Sequence, residues 1–297
     1  MVISWTRKTE PGMKILAATD FSTRSQRALR RAGLLARNVA AELTLVHVVD
    51  DDQPSAIVRL ETREARRYLA EQMTSIAELK GLQCDFAVVT GNPFRGILNA
   101  AEARGVDLIV MGAHRKQLLR DVFVGTTIER VIRTGQFPVL MVNAEVEHSY
   151  KKVMAAVDMS EPSARAISTA KETGLIGEAS FSLVHGFDAF AKGKMSNAGI
   201  GKDELASYVA TERSQVEKEL IAFLEANDFD VDNWSLQIRE GGPVEAIMEA
   251  INEVAPDLLV IGTHSRSGFI KLFLGSVTES LLRSVDVDVF AVPPIRS

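Results

Sequence analysis

The chain contains one segment twice. KILAATDFSTRSQRAL, from Lys14, lies over KVMAAVDMSEPSARAI, from Lys152, with eight of 16 positions identical at an offset of 138. LVHVVD at 45–50 and LVHGFD at 183–188 keep that offset. VDLIVMGAH at 106–114 then lies over PDLLVIGTH at 256–264 at an offset of 150, and over 106–142 against 256–292 the match is 11 of 37. Average residue usage would give about two or three. Whatever one half folds into, the other must fold into as well, and about 140 residues each is an ordinary domain size. The halves divide as 1–147 and 148–297, within the polar stretch NAEVEHSYKK at 143–152. The change of offset places a 12-residue insertion in the second half, at FAKGKMSNAGIG, 190–201. Its glycines and small residues predict a flexible loop, either a connector or a lid over a ligand.

Each half alternates short apolar, β-rich runs with helical patterns. The runs are ILAAT, LTLVHVV, DFAVVT, DLIVMG and PVLMVN, answered by VMAAV, FSLVHGF, SLQIRE, DLLVIG and VDVFAV. Most are apolar on both faces, as strands of a covered parallel sheet are. The expected fold is α/β: two doubly wound five-stranded parallel sheets of Rossmann-like type. If the winding reverses after the third strand, the first and fourth strands lie side by side. A ligand crevice then opens at their C-terminal ends.

The functional classes narrow by composition. Lys plus Arg is 34 against 39 for Asp plus Glu, a net charge of −5, which argues against a nucleic-acid binder. With 46% hydrophobic residues the chain can build a core. No apolar run approaches the roughly 18 residues of a membrane span. The start, MVISWTRKTEPG, lacks a signal peptide's apolar stretch. Cys84 is the single cysteine, so neither an internal disulfide nor a cysteine metal cage is expected. The expectation is a cytoplasmic protein with no nucleic-acid and no membrane partner.

Asp20 and Asp158 follow the first strand of each half, with Ser22 and Ser160 two positions later. Two roles stand open for them, capping the next helix or meeting a ligand. Gly112 and Gly262 end the fourth strands. Gly125-Thr126 and Gly275-Ser276 come later, each just before a helical pattern. Glycine permits close backbone approach, and a helix start offers free N–H groups, a combination suited to phosphate.

These strings resemble the universal stress protein (UspA-like) family, in the form of two fused domains. Its nucleotide-binding members carry Gly, two residues, Gly, nine residues, then Gly-Ser or Gly-Thr. GTHSRSGFIKLFLGS, Gly262 to Ser276, keeps the spacing with Ser265 at the second glycine; GAHRKQLLRDVFVGT, Gly112 to Thr126, has Arg115 there. The resemblance covers 14–143 and 152–293. It implies an adenine nucleotide alpha-hydrolase-like fold and ATP, or another adenine nucleotide, with Mg²⁺. In the second half, Asp158 would face the sugar, and Gly262, His264, Ser265, Arg266, Gly275, Ser276 and Val277 would surround the phosphates. Ala156, Val157 and Phe187 would wall the base. Asp20, Gly112, His114, Arg115, Gly125 and Thr126 would form a weaker site, because Arg115 either obstructs the phosphates or pairs with them. In the family the fifth strand makes dimer contacts. The runs at 138–142 and 287–292 are therefore expected to meet as an internal pseudo-dimer, with a homodimer of chains and an unidentified protein partner left open.

Other features read as structural. His47, His185, His114 and His264 show no metal-ligand spacing. Arg24, Arg27, Arg30, Arg31 and Arg37 make a basic stripe expected to be a solvated face, and IVRLETREARRYLAEQMTSIAEL an amphipathic helix with its apolar side on the sheet. No P-loop, dinucleotide fingerprint or nucleophile elbow is present, so no catalytic residue is assigned. Three functions remain: a nucleotide-sensing regulator, a stress-response scaffold without nucleotide, and a slow ATPase.

Overall fold

The computed structural model describes residues 12–113, 126–230, 233–263 and 274–294. The first half runs β1 (Lys14–Ala18), α1 (Thr23–Val39), β2 (Glu42–Val49), α2 (Ser55–Ser75), β3 (Cys84–Thr90), α3 (Pro93–Arg104), β4 (Leu108–Gly112), α4 (Thr127–Thr134) and β5 (Val139–Val142). The second runs β6 (Lys152–Ala156), α5 (Glu161–Glu172), β7 (Ser180–Phe187), α6 (Lys192–Asn197), α7 (Lys202–Ala226), β8 (Trp234–Glu240), α8 (Pro243–Val254), β9 (Leu258–Gly262), α9 (Ser276–Ser284) and β10 (Asp288–Val292).

The strands form one ten-stranded sheet in the order β3-β2-β1-β4-β5-β10-β9-β6-β7-β8. Within each half all pairs are parallel, and β1 lies between β2 and β4 as β6 lies between β7 and β9. The halves join where β5 meets β10 antiparallel, Phe290 opposite Leu140. Strand side chains alternate between two apolar layers. Ile15, Ala17, Leu108, Val110, Val153 and Phe290 pack with α1 and α5 on one face. Leu16, Ala18, Ile109, Met111 and Met154 pack with α3, α4, α8 and α9 on the other. Both layers run unbroken from one half into the other.

Three expectations change. The arginine stripe is solvated only in part: Arg31 is buried, and Arg27, Arg30 and Arg37 are part-exposed or exposed yet hydrogen-bonded. Arg27 donates to the Asn143 carbonyl at 3.2 Å, Arg30 to Val146 at 3.0 Å, Arg31 to His148 at 2.8 Å and Arg37 to Lys80 at 2.8 Å. Three of these four acceptors belong to the segment joining the halves, so α1 clasps the connection. The long amphipathic helices pack thinly: α2 buries only Ala65 and Leu69, and Ile57, Leu60 and Tyr68 stay exposed. The insertion is not a plain loop. It forms α6, tied to β8 by Lys192 Nζ on Glu240 at 2.7 and 2.9 Å. β7 separates β8 from β6, so that tie lies to the outer side of the sheet.

Candidate functional site

The reversal of winding brings the ends of β1 and β4 together in the first half, and those of β6 and β9 in the second. In the first half these ends border a crevice of about 270 Å³ lined by Asp20, Arg24, His47, Ile97, Gly112 and Thr126, among others. This is the switch-point position expected of a doubly wound sheet.

Each first strand ends in a bent, serine-bound aspartate. Asp20 Oδ1 accepts from Ser22 N at 3.0 Å, and Asp158 Oδ1 from Ser160 N at 3.1 Å and from the Ser160 hydroxyl. Asp158 Oδ2 has no hydrogen-bond partner among the described residues. Burial pushes the Asp20 carboxyl up, but the Ser22 and Ser25 hydroxyls and the Ser22 amide outweigh it, leaving Asp20 below its usual range. The next residue takes the left-handed conformation in both halves, φ 61° at Phe21 and 56° at Met159. For a bulky side chain that backbone costs about 1–2 kcal/mol. Its recurrence at equivalent sites indicates that the fold needs this bend. Ser22 and Ser160 cap α1 and α5, accepting from Ser25 N and Ser163 N. Capping is therefore real, and it uses one oxygen of Asp158.

Gly112 and Gly262 are required by packing. A Cβ on Gly112 would stand 2.7 Å from the Arg24 backbone, and one on Gly262 2.9 Å from the Pro162 carbonyl oxygen. The first turns of α1 and α5 lie directly on these glycines. Gly275 has φ −59°, open to any residue, but its Cβ would meet the Thr263 carbonyl oxygen at 3.3 Å.

The two helix starts differ. In the first half Thr126 Oγ1 accepts from Glu129 N at 3.3 Å, and Thr126 N donates to Glu129 Oε2 at 2.9 Å, a closed capping box. Glu129 is buried, and its other oxygen accepts from Arg283 Nε at 2.8 Å. In the second half Gly275 N donates to the Thr263 carbonyl at 3.0 Å and no side chain caps α9. Among the described residues, the amides of Ser276 and Val277 meet no acceptor.

Other assigned residues scatter. Ala156 and Val157 end and follow β6 beside Asp158, with Val157 buried. Phe187 is buried in the apolar layer under α5 and α7, while Gly186 faces Ala246 and Pro243 of α8. The Phe187 side chain thus lies on the opposite sheet face from the one α8 covers. His264, Ser265 and Arg266, with His114, Arg115 and Gly125, lie outside the described residues. Two histidines have clear structural roles: the Nδ1–H of His47 donates to the Thr19 carbonyl at 2.8 Å, and that of His185 to Val157 at 2.7 Å. Sequence reasoning missed Glu129 and Arg24. The first was signalled by the Thr-x-x-Glu spacing; the second carried no mark apart from its stripe.

The model of the Universal stress protein family matches residues 13–143 and 149–293. Universal stress protein E of Salmonella typhi is 23% identical over 297 residues, covering 94% of each chain. A universal stress protein of Methanocaldococcus jannaschii is 30% identical over 151 residues, 43% of this chain and 93% of that protein. The crystal structure of a universal stress protein from Archaeoglobus fulgidus superposes with a TM-score of 0.64 at 18% identity, covering 94% of this chain and 98% of that one. With two matched segments that span nearly the whole of a duplicated α/β sheet, the chain belongs to the universal stress protein family.

Proposed function

We propose that this protein is a stress-response regulator that binds an adenine nucleotide, chiefly ATP, in the crevice between β6 and β9. Occupancy then controls a surface read by a partner. The observation that carries the reading is the open start of α9. Ser276 and Val277 present amides beside Gly275, at the position the resemblance gives to phosphates. The open Oδ2 of Asp158 fits a sugar hydroxyl. Gly262 keeps α5 close to β9, and Ala156 and Val157 place the aspartate. Phe187 drops out as a wall of the base, because it is packed into the core. Mg²⁺ would neutralise charge on the phosphate chain.

The first half is the altered site. A carboxylate already occupies the start of α4, where phosphate would have to sit. Thermal denaturation with Mg-ATP tests the reading. ATP at 100 times its Kd should stabilise the fold by about 2.7 kcal/mol. Gly275→Trp should abolish most of that gain, and Gly125→Trp should cost less. The reverse ranking moves the site to the first half. No shift with any adenylate leaves a scaffold that works without nucleotide.

A further inference from the structure

The helices after the glycine strings begin with matching signals, Thr126-Thr-Ile-Glu129 and Ser276-Val-Thr-Glu279. Each is a hydroxyl residue with glutamate three positions on, the signature of a capping box. Only the first box is closed. The two helices start in different frames: Thr126 is the N-cap of α4, whereas Gly275 is the N-cap of α9, which puts Ser276 inside the first turn and Glu279, whose N–H bonds the Gly275 carbonyl at 2.9 Å, one position past the box. Arg283 contacts both glutamates. Its Nε binds Glu129 Oε1 at 2.8 Å, and its Nη2 binds Glu279 Oε1 at 2.7 Å. Glu279 is held by the arginine four residues on. Glu129, from the other half, is anchored where it closes on Thr126. The hydrogen bond that Arg283 donates to Glu129 in turn pushes its guanidinium further from deprotonation. One cation of the second half thus keeps a buried anion at the start of α4, while the start of α9, with glycine as its N-cap, stays without a side-chain cap.

The first crevice remains a cavity of about 270 Å³. Thr126 and Thr127 form its rim at α4, so a phosphate chain reaching that rim would meet the Glu129 carboxylate. Arg24 lines the same crevice from α1 and makes no ion pair among the described residues. A single phosphate near α1 has a cation to meet, and a longer chain has a carboxylate to avoid. Building on the nucleotide reading of the second half, we infer that Glu129 is the specificity-determining residue of the first crevice, with Arg283 as its positioning residue. Together they restrict that crevice to a nucleoside carrying at most one phosphate and leave the triphosphate to the second.

Equilibrium dialysis of the full chain against labelled ATP and AMP tests this by counting ligands. The wild type should bind one ATP or two AMP per chain. Glu129→Gln should bind two ATP. Glutamine keeps an oxygen for the Thr126 amide, and Arg283 keeps Glu279, so the variant should fold; its melting temperature without nucleotide checks this. Arg283→Met removes the anchor of Glu129 at Thr126 and should raise the ATP count above one per chain, with Arg283→Lys restoring the wild-type count. A purely structural role for Arg283 would not raise the number of ATP molecules bound. An unchanged ATP count in Glu129→Gln overturns the inference while leaving the second-half site in place. No adenylate bound by either protein overturns both.

Discussion

No part of Asp288 reaches solvent. It begins β10, yet its partners lie in the other half or in the connection. Oδ1 accepts from Asn143 N at 2.8 Å and Ala144 N at 2.9 Å, and Oδ2 from the Tyr150 hydroxyl at 2.7 Å. Arg31 Nε stands 3.3 Å from Oδ2, and its guanidinium lies 4.1 Å over the Tyr150 ring. Burial still pushes the Asp288 carboxyl above its usual range, although these donors pull it down. Burial, with Asp288 beside it, also raises the Tyr150 hydroxyl well above its usual value. A buried carboxylate with this many donors is costly to remove, because the donors remain buried behind it. Asp288→Ala should destabilise the chain by about 3–5 kcal/mol, read as a fall in the urea midpoint. A change below about 1 kcal/mol would mean that the donors find other acceptors.

Helix ends reveal where the duplicated elements have diverged. Gly105 closes α3 with φ 58°, the left-handed conformation that glycine adopts freely. At the equivalent end of α8 stands Ala255, with φ 47°. Its N–H still bonds the Ile251 carbonyl at 2.9 Å, so the cap is formed at the expense of backbone strain. Ala255→Gly should stabilise the protein by about 1 kcal/mol, and Gly105→Ala should destabilise it by a similar amount. Paired denaturation curves check both signs. The elements themselves were legible because buried parallel strands need long apolar runs, and the structure places Pro93 and Pro243 at the starts of α3 and α8. The thin packing of α2 was not legible. Its apolar residues have helical spacing, but spacing does not say how much sheet lies beneath them.

At the scale of the molecule, the β5–β10 pairing turns two domains into one sheet. Each of these strands would be an open apolar edge in a separated half, and such edges pair with whatever strand is available. Residues 1–147 expressed alone should therefore dimerise through β5, antiparallel to its own copy, as seen by light scattering. A strictly monomeric half would show that the edge is protected in some other way. The clasp of α1 on the connection belongs to this scale too. Arg27, Arg30 and Arg31 follow helical spacing, so a stripe was visible, but its acceptors are backbone carbonyls more than 100 residues away.

The sequence by itself determined the duplication, the order of strands and helices apart from α6, and the place of Asp20, Asp158, Gly112 and Gly262 at strand ends. Those features follow from local patterns, which a chain carries wherever it goes. It also spelled the same capping signal at Thr126 and Ser276. Tertiary structure decided that they act differently: α4 starts at Thr126 with its box closed, α9 starts at Gly275 with Ser276 inside its first turn, and Arg283 reaches Glu129 only after β5 and β10 have brought α4 and α9 together. A carboxylate goes to the strongest donor within reach, and reach is set by the fold.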